Sequence, residues 1–306
     1  MSVKIVGSAN LVEPTYSVLN EDHSAYFAPD YRTLNPRNVL LKEVSMFMEL
    51  FGDASPSKYS INFVFDVVDT ALRHMLLMFK DKQLTVGALM RVLQLKSHRV
   101  FCLCLHGYIS ALLVVKVRES IKKDEDTFSN TLDESSGDHY DFFKKEVCRM
   151  NPMPPFTSST SPDQFVKVLW HQMFVIYNGF WKSSSIDRTE MTRDEFLSWN
   201  NFRTTSFVRN KREKGVFEDW LTEYCTLNDD LMICLTPLVT FLIASIVQCT
   251  VKRIRPKYSL FPLQFRSEQA SVSIEEYMVS VEVLKLSSEL FRFVEVSLEE
   301  DEEDEF

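Results

Sequence analysis

Apolar positions along the 306-residue chain recur at helical spacing far more often than in strand-like alternation. In RNVLLKEVSMFMELF (37–51) they fall at 40, 44, 47, 48 and 51, the rhythm that turns one helical face toward a core. GDASPSK (52–58) reads as a turn, with Ser55 as N-cap and Pro56 as the first helical residue. Helices are predicted over about 59–79, 84–95, 100–120 and 140–150. NPMPPF (151–156) forbids continuation, because proline lacks an N–H and restricts the residue before it. TSSTSPDQF (157–165) starts the next helix, with Ser161 as N-cap and Pro162 in its first turn, over 163–180. Further helical patterns lie near 192–202, 215–225, 228–251 and 273–292, and only 278–297 could also be read as strand. Residues 1–30 lack sustained periodicity and read as an arm, and the polar stretch 122–139 reads as a surface loop. The fold predicted is all-α, in two helical halves meeting near residue 157.

Composition adds to this picture. Hydrophobic content of 45% and charged content of 25% are those of a globular protein. Seven glycines and 11 prolines argue against a loop-rich β-protein and against phosphate-cradling loops. Twenty-four phenylalanines and 12 methionines suit bulky, adaptable helix packing. The net charge of −9 falls to −2 without the seven acidic residues of LEEDEEDEF (298–306), which read as a solvated tail. The remaining near-neutral body gives no strongly basic surface, so direct nucleic-acid binding is not expected. Lys252, Arg253, Arg255 and Lys257 form a small basic group better read as a solvated helix end.

Candidate chemistry is sparse. The cysteines at 102, 104, 148, 225, 234 and 249 form no C-x-x-C and have no histidine at zinc spacing. Most lie in apolar runs, and no signal-peptide pattern is read at 1–20, so reduced thiols in an intracellular compartment are expected. His74, His98, His106, His139 and His171 show no paired ligand spacing, and Asp187–Glu195 lacks the central glycine of a calcium loop. No nucleophile–base set and no glycine-rich loop stands out, so neither catalysis nor a cofactor or metal is expected. Leu231–Val251 is about long enough to span a bilayer, but Thr236, Pro237, Thr240, Ser245 and Gln248 favour a buried core helix. No membrane association is expected.

The most suggestive feature is the apolar stretch VFCLCLHGYISALLVVKVRES (100–120), read as a buried helix ending in Lys116. Such a lysine keeps its ammonium at the rim of the core, where it can address a partner's carbonyls. Thirty residues on, Glu146 opens EVCRM, and a carboxylate there can take a partner's N–H groups. Two opposite charges on two packed helices suit docking of another protein better than bond-breaking.

These residues resemble the cyclin box. ALLVVKVRES (111–120) is similar to the run that ends the family's third helix, with Lys116 on its kinase-contacting lysine and Glu146 on the paired glutamate of the fifth helix. SPDQFVKVLW (161–170) resembles the start of the second repeat, and NDDLMICLTPLVTFLIASIVQC (228–249) a helix within it. RNVLLKEVSMFMELF resembles the first helix, which implies that Arg37 pairs with Asp66 or Asp69 on the second. The resemblance covers about 31–251. It implies an N-terminal arm (1–30), two consecutive five-helix cyclin-like repeats (31–156 and 157–295) and a disordered acidic tail (296–306).

What the resemblance implies about function is a non-catalytic regulatory subunit that binds and activates or targets a cyclin-dependent protein kinase in the nucleus. Lys116, Glu119, Glu146 and Phe156 would form the kinase-binding face. Several positions depart from the family. K-V-R-E replaces its K-x-E-E, so Arg118 stands where an acidic residue is usual. The substrate-docking patch reads P-R-N-V-L with Glu43 in place of its tryptophan, and the segment before Lys116 is about two dozen residues longer than usual. Such departures are shared with the cyclin-N-terminal-domain-containing factors of meiotic crossover formation, which implies meiotic recombination proteins as further partners. The alternative is an all-α interaction scaffold with a cyclin-like fold that activates no kinase. Ser55-Pro56-Ser57-Lys58 also matches the S-P-x-K sequence of cyclin-dependent kinase substrates, although the helix-cap reading of Ser55 is favoured.

Overall fold

A computed structural model of the chain describes residues 36–53, 55–79, 84–123, 136–150, 161–182, 206–208, 211–254 and 272–294; for α4 beyond Leu113 the description is of the backbone. These residues form α1 (Pro36–Leu50), α2 (Lys58–Leu76), α3 (Val86–Lys96), α4 (His98–Lys123) and α5 (Ser136–Met150). They continue with α6 (Pro162–Lys182), α7 (Lys211–Thr222), α8 (Asp229–Ile254) and α9 (Ile274–Ser287). No strand occurs among the described residues, and the ambiguous segment after 278 is helix to Ser287 followed by turns. The arm, the 192–202 helix, Phe156 and the acidic tail lie outside the described residues.

Local chemistry sets the helix ends. Ser161 Oγ accepts from Gln164 N at 3.2 Å, which starts α6 at Pro162 as its sequence predicts. Ser55 is not the cap of α2. Ser57 is extended (φ −72°, ψ 156°), its Oγ accepts from Ser60 N at 3.1 Å, and the helix begins at Lys58. Pro56 therefore precedes the cap rather than opening the helix. Gly52 ends α1 with φ 120°, a conformation only glycine adopts without strain. Its N–H bonds Glu49 O and that of Asp53 bonds Met48 O, which closes the helix and turns Asp53 inward, where it is 1% exposed. Ser273 and Glu276 form a reciprocal capping box at the start of α9.

Two long apolar helices, α4 and α8, pack on each other at the centre. On one side α3, α5 and α6 pack on α4; on the other α1, α2 and α9 pack on α8. Val100 to Ile109 of α4, apart from Gly107, supply buried core side chains or the nearly buried His106. Along α8, Leu231, Leu235, Leu238, Leu242, Ile246 and Val247 are each at most 1% exposed. Burying each such side chain stabilises the fold by about 1.5–3 kcal/mol before entropy is counted. Thr236, Thr240 and Thr250 donate their hydroxyls to carbonyls four residues back, so these three hydroxyls are satisfied within α8. Asp229–Ile254 is the one helix among the described residues long and apolar enough to cross a membrane, and 72% of its apolar window is buried by the other helices.

Helices from both sides of residue 157 share one core. The buried residues form one cluster from Leu40 to Val294, and α1 and α2 bury their apolar faces on α8, from the other half of the sequence. The reason is the apolar coat of α8. It is wet on no broad face, so it needs neighbours from both halves. The long segment before Lys116 is occupied by α3, joined to α4 through Ser97 alone. Ser97 N–H donates to Leu93 O at 2.7 Å, and its carbonyl receives Phe101 N–H at 3.0 Å.

Candidate functional site

Of the two residues singled out, Glu146 lies on α5, which packs against α4 and α6, and Lys116 lies on α4. Lys116 does not end its helix. The backbone runs on to Lys123, and Lys116 stands seven residues past Ile109, the last buried residue among those of α4 whose side chains are described. That is about 10 Å of helical rise. Glu119 is a turn further on. From Ser110 to Leu113 the described side chains are partly buried, and Lys116 lies further along the same helix.

Helix α5 is seated by its apolar face, with Phe143, Val147 and Met150 buried at i, i+4 and i+7. Phe143 meets Trp170 of α6 at 4.7 Å between ring centroids, and Tyr140 meets the same ring edge-on at 5.8 Å. Lys144 Nζ lies 2.6 Å from Asp163 Oδ1 in the first turn of α6; this bond raises the ammonium pKa and lowers that of the carboxyl. On the other side Gly87 lets α3 approach, since a Cβ there would lie 3.0 Å from the carbonyl oxygen of Met150.

Glu146 differs from its sequence expectation. It is 8% exposed rather than presented to solvent, and its Oε2 lies 2.8 Å from Arg149 Nη2. The same Arg149 nitrogen donates to Tyr108 Oη of α4 at 2.7 Å. Arg149 therefore covers the carboxylate and ties α5 to α4, while its own side chain remains 59% exposed. Tyr108 is fully buried; burial, with smaller help from Asp230, pushes its pKa up to about 12, so the phenol stays protonated. The group exposed at this point is the guanidinium, with the carboxylate behind it.

The α4–α6 seam carries aromatic contacts that the sequence did not single out. His106 stacks on Tyr177 at 3.6 Å and meets Phe174 edge-on at 5.4 Å. His98 Nε2 lies 3.1 Å from Gln172 Oε1. Outside the seam, α6 leaves Val168 and Val175 about half exposed. The i, i+7 spacing of those two valines was visible in the sequence, but nothing there said which face was covered.

Arg37 and Asp66 are brought together, Nη2 to Oδ1 at 2.7 Å, with the guanidinium 5.0 Å from the centre of the Phe65 ring. Asp69 has other partners. Its Oδ1 accepts from Trp220 Nε1 at 2.6 Å and from the Tyr224 hydroxyl, and its Oδ2 lies 3.4 Å from Arg73 Nη2. Asp66 thus joins α2 to α1, and Asp69 joins α2 to α7 and the turn after it. Among the described residues no group of three or more metal-ligating side chains occurs. Comparison with protein-family models, curated proteins and solved structures returned no match.

Proposed function

We propose that the chain is a non-catalytic, cyclin-like regulatory protein that docks a cyclin-dependent protein kinase on the α4–α5 face and activates or targets it. The observation that carries this reading is the seating of α5 on α4. Arg149 bonds Tyr108, so Glu146 is held beside α4 eight residues before Lys116, about 12 Å along the helix. Opposite charges on two adjoining helices at that separation suit a two-point contact with a partner's helix and loop. Such a contact can shift a kinase toward its active arrangement only by binding that arrangement better. The Arg37–Asp66 pair between the first two helices also fits the reading. On this view 31–156 and 157–295 are two cyclin-like repeats sharing a core, the compartment is the nucleus, and meiotic crossover formation is the narrower setting.

Docking engages Glu146 by drawing Arg149 aside, which exchanges one charge-assisted contact for another. The test is gel filtration of the chain with each of a set of cyclin-dependent kinases, followed by phosphorylation of a histone-type substrate. Co-elution that Lys116→Glu and Glu146→Lys both abolish is expected. Co-elution surviving both substitutions would overturn the docking face, and binding without a rise in kinase rate would leave the all-α scaffold as the function.

A further inference from the structure

The turn between α1 and α2 does more than join two helices. Asp53, buried at its base, accepts the hydroxyl of Tyr277 from α9 at 2.8 Å on Oδ2 and the N–H of Ser55 at 3.3 Å on Oδ1. Ser60, one turn into α2, donates its hydroxyl to Val272 O, just before α9, at 3.1 Å. Tyr277 is fully buried, so the start of α9 is latched to the α1–α2 turn across 224 residues of sequence. Ser55 sits at the mouth of that latch. It is exposed, and because Ser57 is the cap of α2, the Ser55 hydroxyl makes no hydrogen bond among the described residues. The competing role read from the sequence is thereby removed. Pro56 follows directly, and a residue before proline is held extended, the form in which a kinase reads its substrate. Lys58, also exposed, completes the S-P-x-K sequence.

We propose that Ser55 is a phosphorylation site for a proline-directed protein kinase, and that the phosphate releases α9 from the α1–α2 turn. In the reaction Ser55 Oγ bonds the γ-phosphorus of ATP, the bond from that phosphorus to the β,γ-bridging oxygen breaks, the hydroxyl proton passes to the kinase's base, and ADP leaves. Two effects then act on Asp53 in the same direction. The dianion stands two residues from a buried carboxylate and repels it. The phosphate is drawn toward Lys58 and the N-terminus of α2, which pulls the Ser55 N–H away from Asp53. Both loosen the acceptor on which Tyr277 depends. The kinase is needed here only as a catalyst, so this site is independent of stable docking on α4 and α5.

The experiment treats the full chain with a proline-directed kinase and ATP, maps the phosphate by peptide mass, and follows amide exchange. Phosphate on Ser55, absent from Ser55→Ala, is expected, with exchange over 274–287 about tenfold faster than in the untreated chain. Unphosphorylated Tyr277→Phe, which deletes the latch alone, should show the same local acceleration. No phosphate on Ser55 while a control peptide in the same tube is fully modified would overturn the proposal. So would unchanged exchange in α9 of the phosphorylated chain, an acceleration spread evenly over all helices, or a Tyr277→Phe variant with no acceleration at all.

Discussion

Asp69 is the strongest test of how the helices are held. Its Oδ1 takes both Trp220 Nε1, at 2.6 Å, and the Tyr224 hydroxyl, and these two rings are 8% and 5% exposed. Asp69→Ala strands two buried donors, each costing about 1–3 kcal/mol. The Arg73 contact, with that side chain 53% exposed, adds at most about 0.5 kcal/mol. The expected loss is about 3 kcal/mol, and Asp69→Asn, which keeps one acceptor, should lose about half as much. Trp220→Phe removes one donor while keeping most of the contact with Phe65, whose ring centre lies 5.1 Å away. Urea unfolding followed by far-ultraviolet circular dichroism measures all three, with an unchanged denaturant slope showing that stability alone has moved. The cycle of Asp69→Ala with Trp220→Phe should give a coupling of about 1–2 kcal/mol. A loss below about 1 kcal/mol for Asp69→Ala, or additive effects in the cycle, would refute the hydrogen-bonded junction of α2 with α7.

Burial lowers the pKa of His106 from 6.5 to about 4, so the ring stays neutral in the fold while the unfolded chain takes up a proton as pH falls below 6.5. Its contribution is fully present above pH 6.5 and is lost as pH falls toward 4, by about 3 kcal/mol in total. His106→Phe, which keeps a ring against Tyr177, should flatten that part of the stability–pH profile, as measured by urea titrations from pH 7 to about 4. Gly87→Ala should destabilise the fold by about 1–3 kcal/mol in thermal and urea unfolding, because the new methyl meets the Met150 carbonyl at 3.0 Å and both partners are backbone. In the native chain an aromatic disulfide reagent should label Cys148 first and Cys249 more slowly. Cys102, Cys104, Cys225 and Cys234, all buried, should react only on unfolding, and burial raises the pKa of each.

Much of the helical layout was legible because apolar spacing reports burial directly. The periodicity of 37–51 and 228–251 places α1 and α8 within a few residues of where they lie. A hydroxyl directly before proline named the right cap at Ser161 and the wrong one at Ser55, where Ser57 two residues on holds the helix. Packing was the harder part. Period alone cannot say which apolar helix faces which, nor that α8 gathers α1 and α2 into a common core. At the candidate face, the sequence shows Glu146 and Arg149 one turn apart, but not that Tyr108 draws the guanidinium across the carboxylate. Arg37 could have reached either aspartate of α2. Asp66 lies on its side, and Asp69 is turned toward Trp220, which no local signal could reveal.

The proposed kinase would dock on the end of α4 together with α5. Amide exchange of the full chain, with and without a co-eluting kinase, tests it most directly. Docking there should slow exchange in the part of α4 around Lys116 and in α5 around Glu146, with that protection lost in Lys116→Glu and Glu146→Lys. Protection confined to other helices, or retained in both variants, would contradict it.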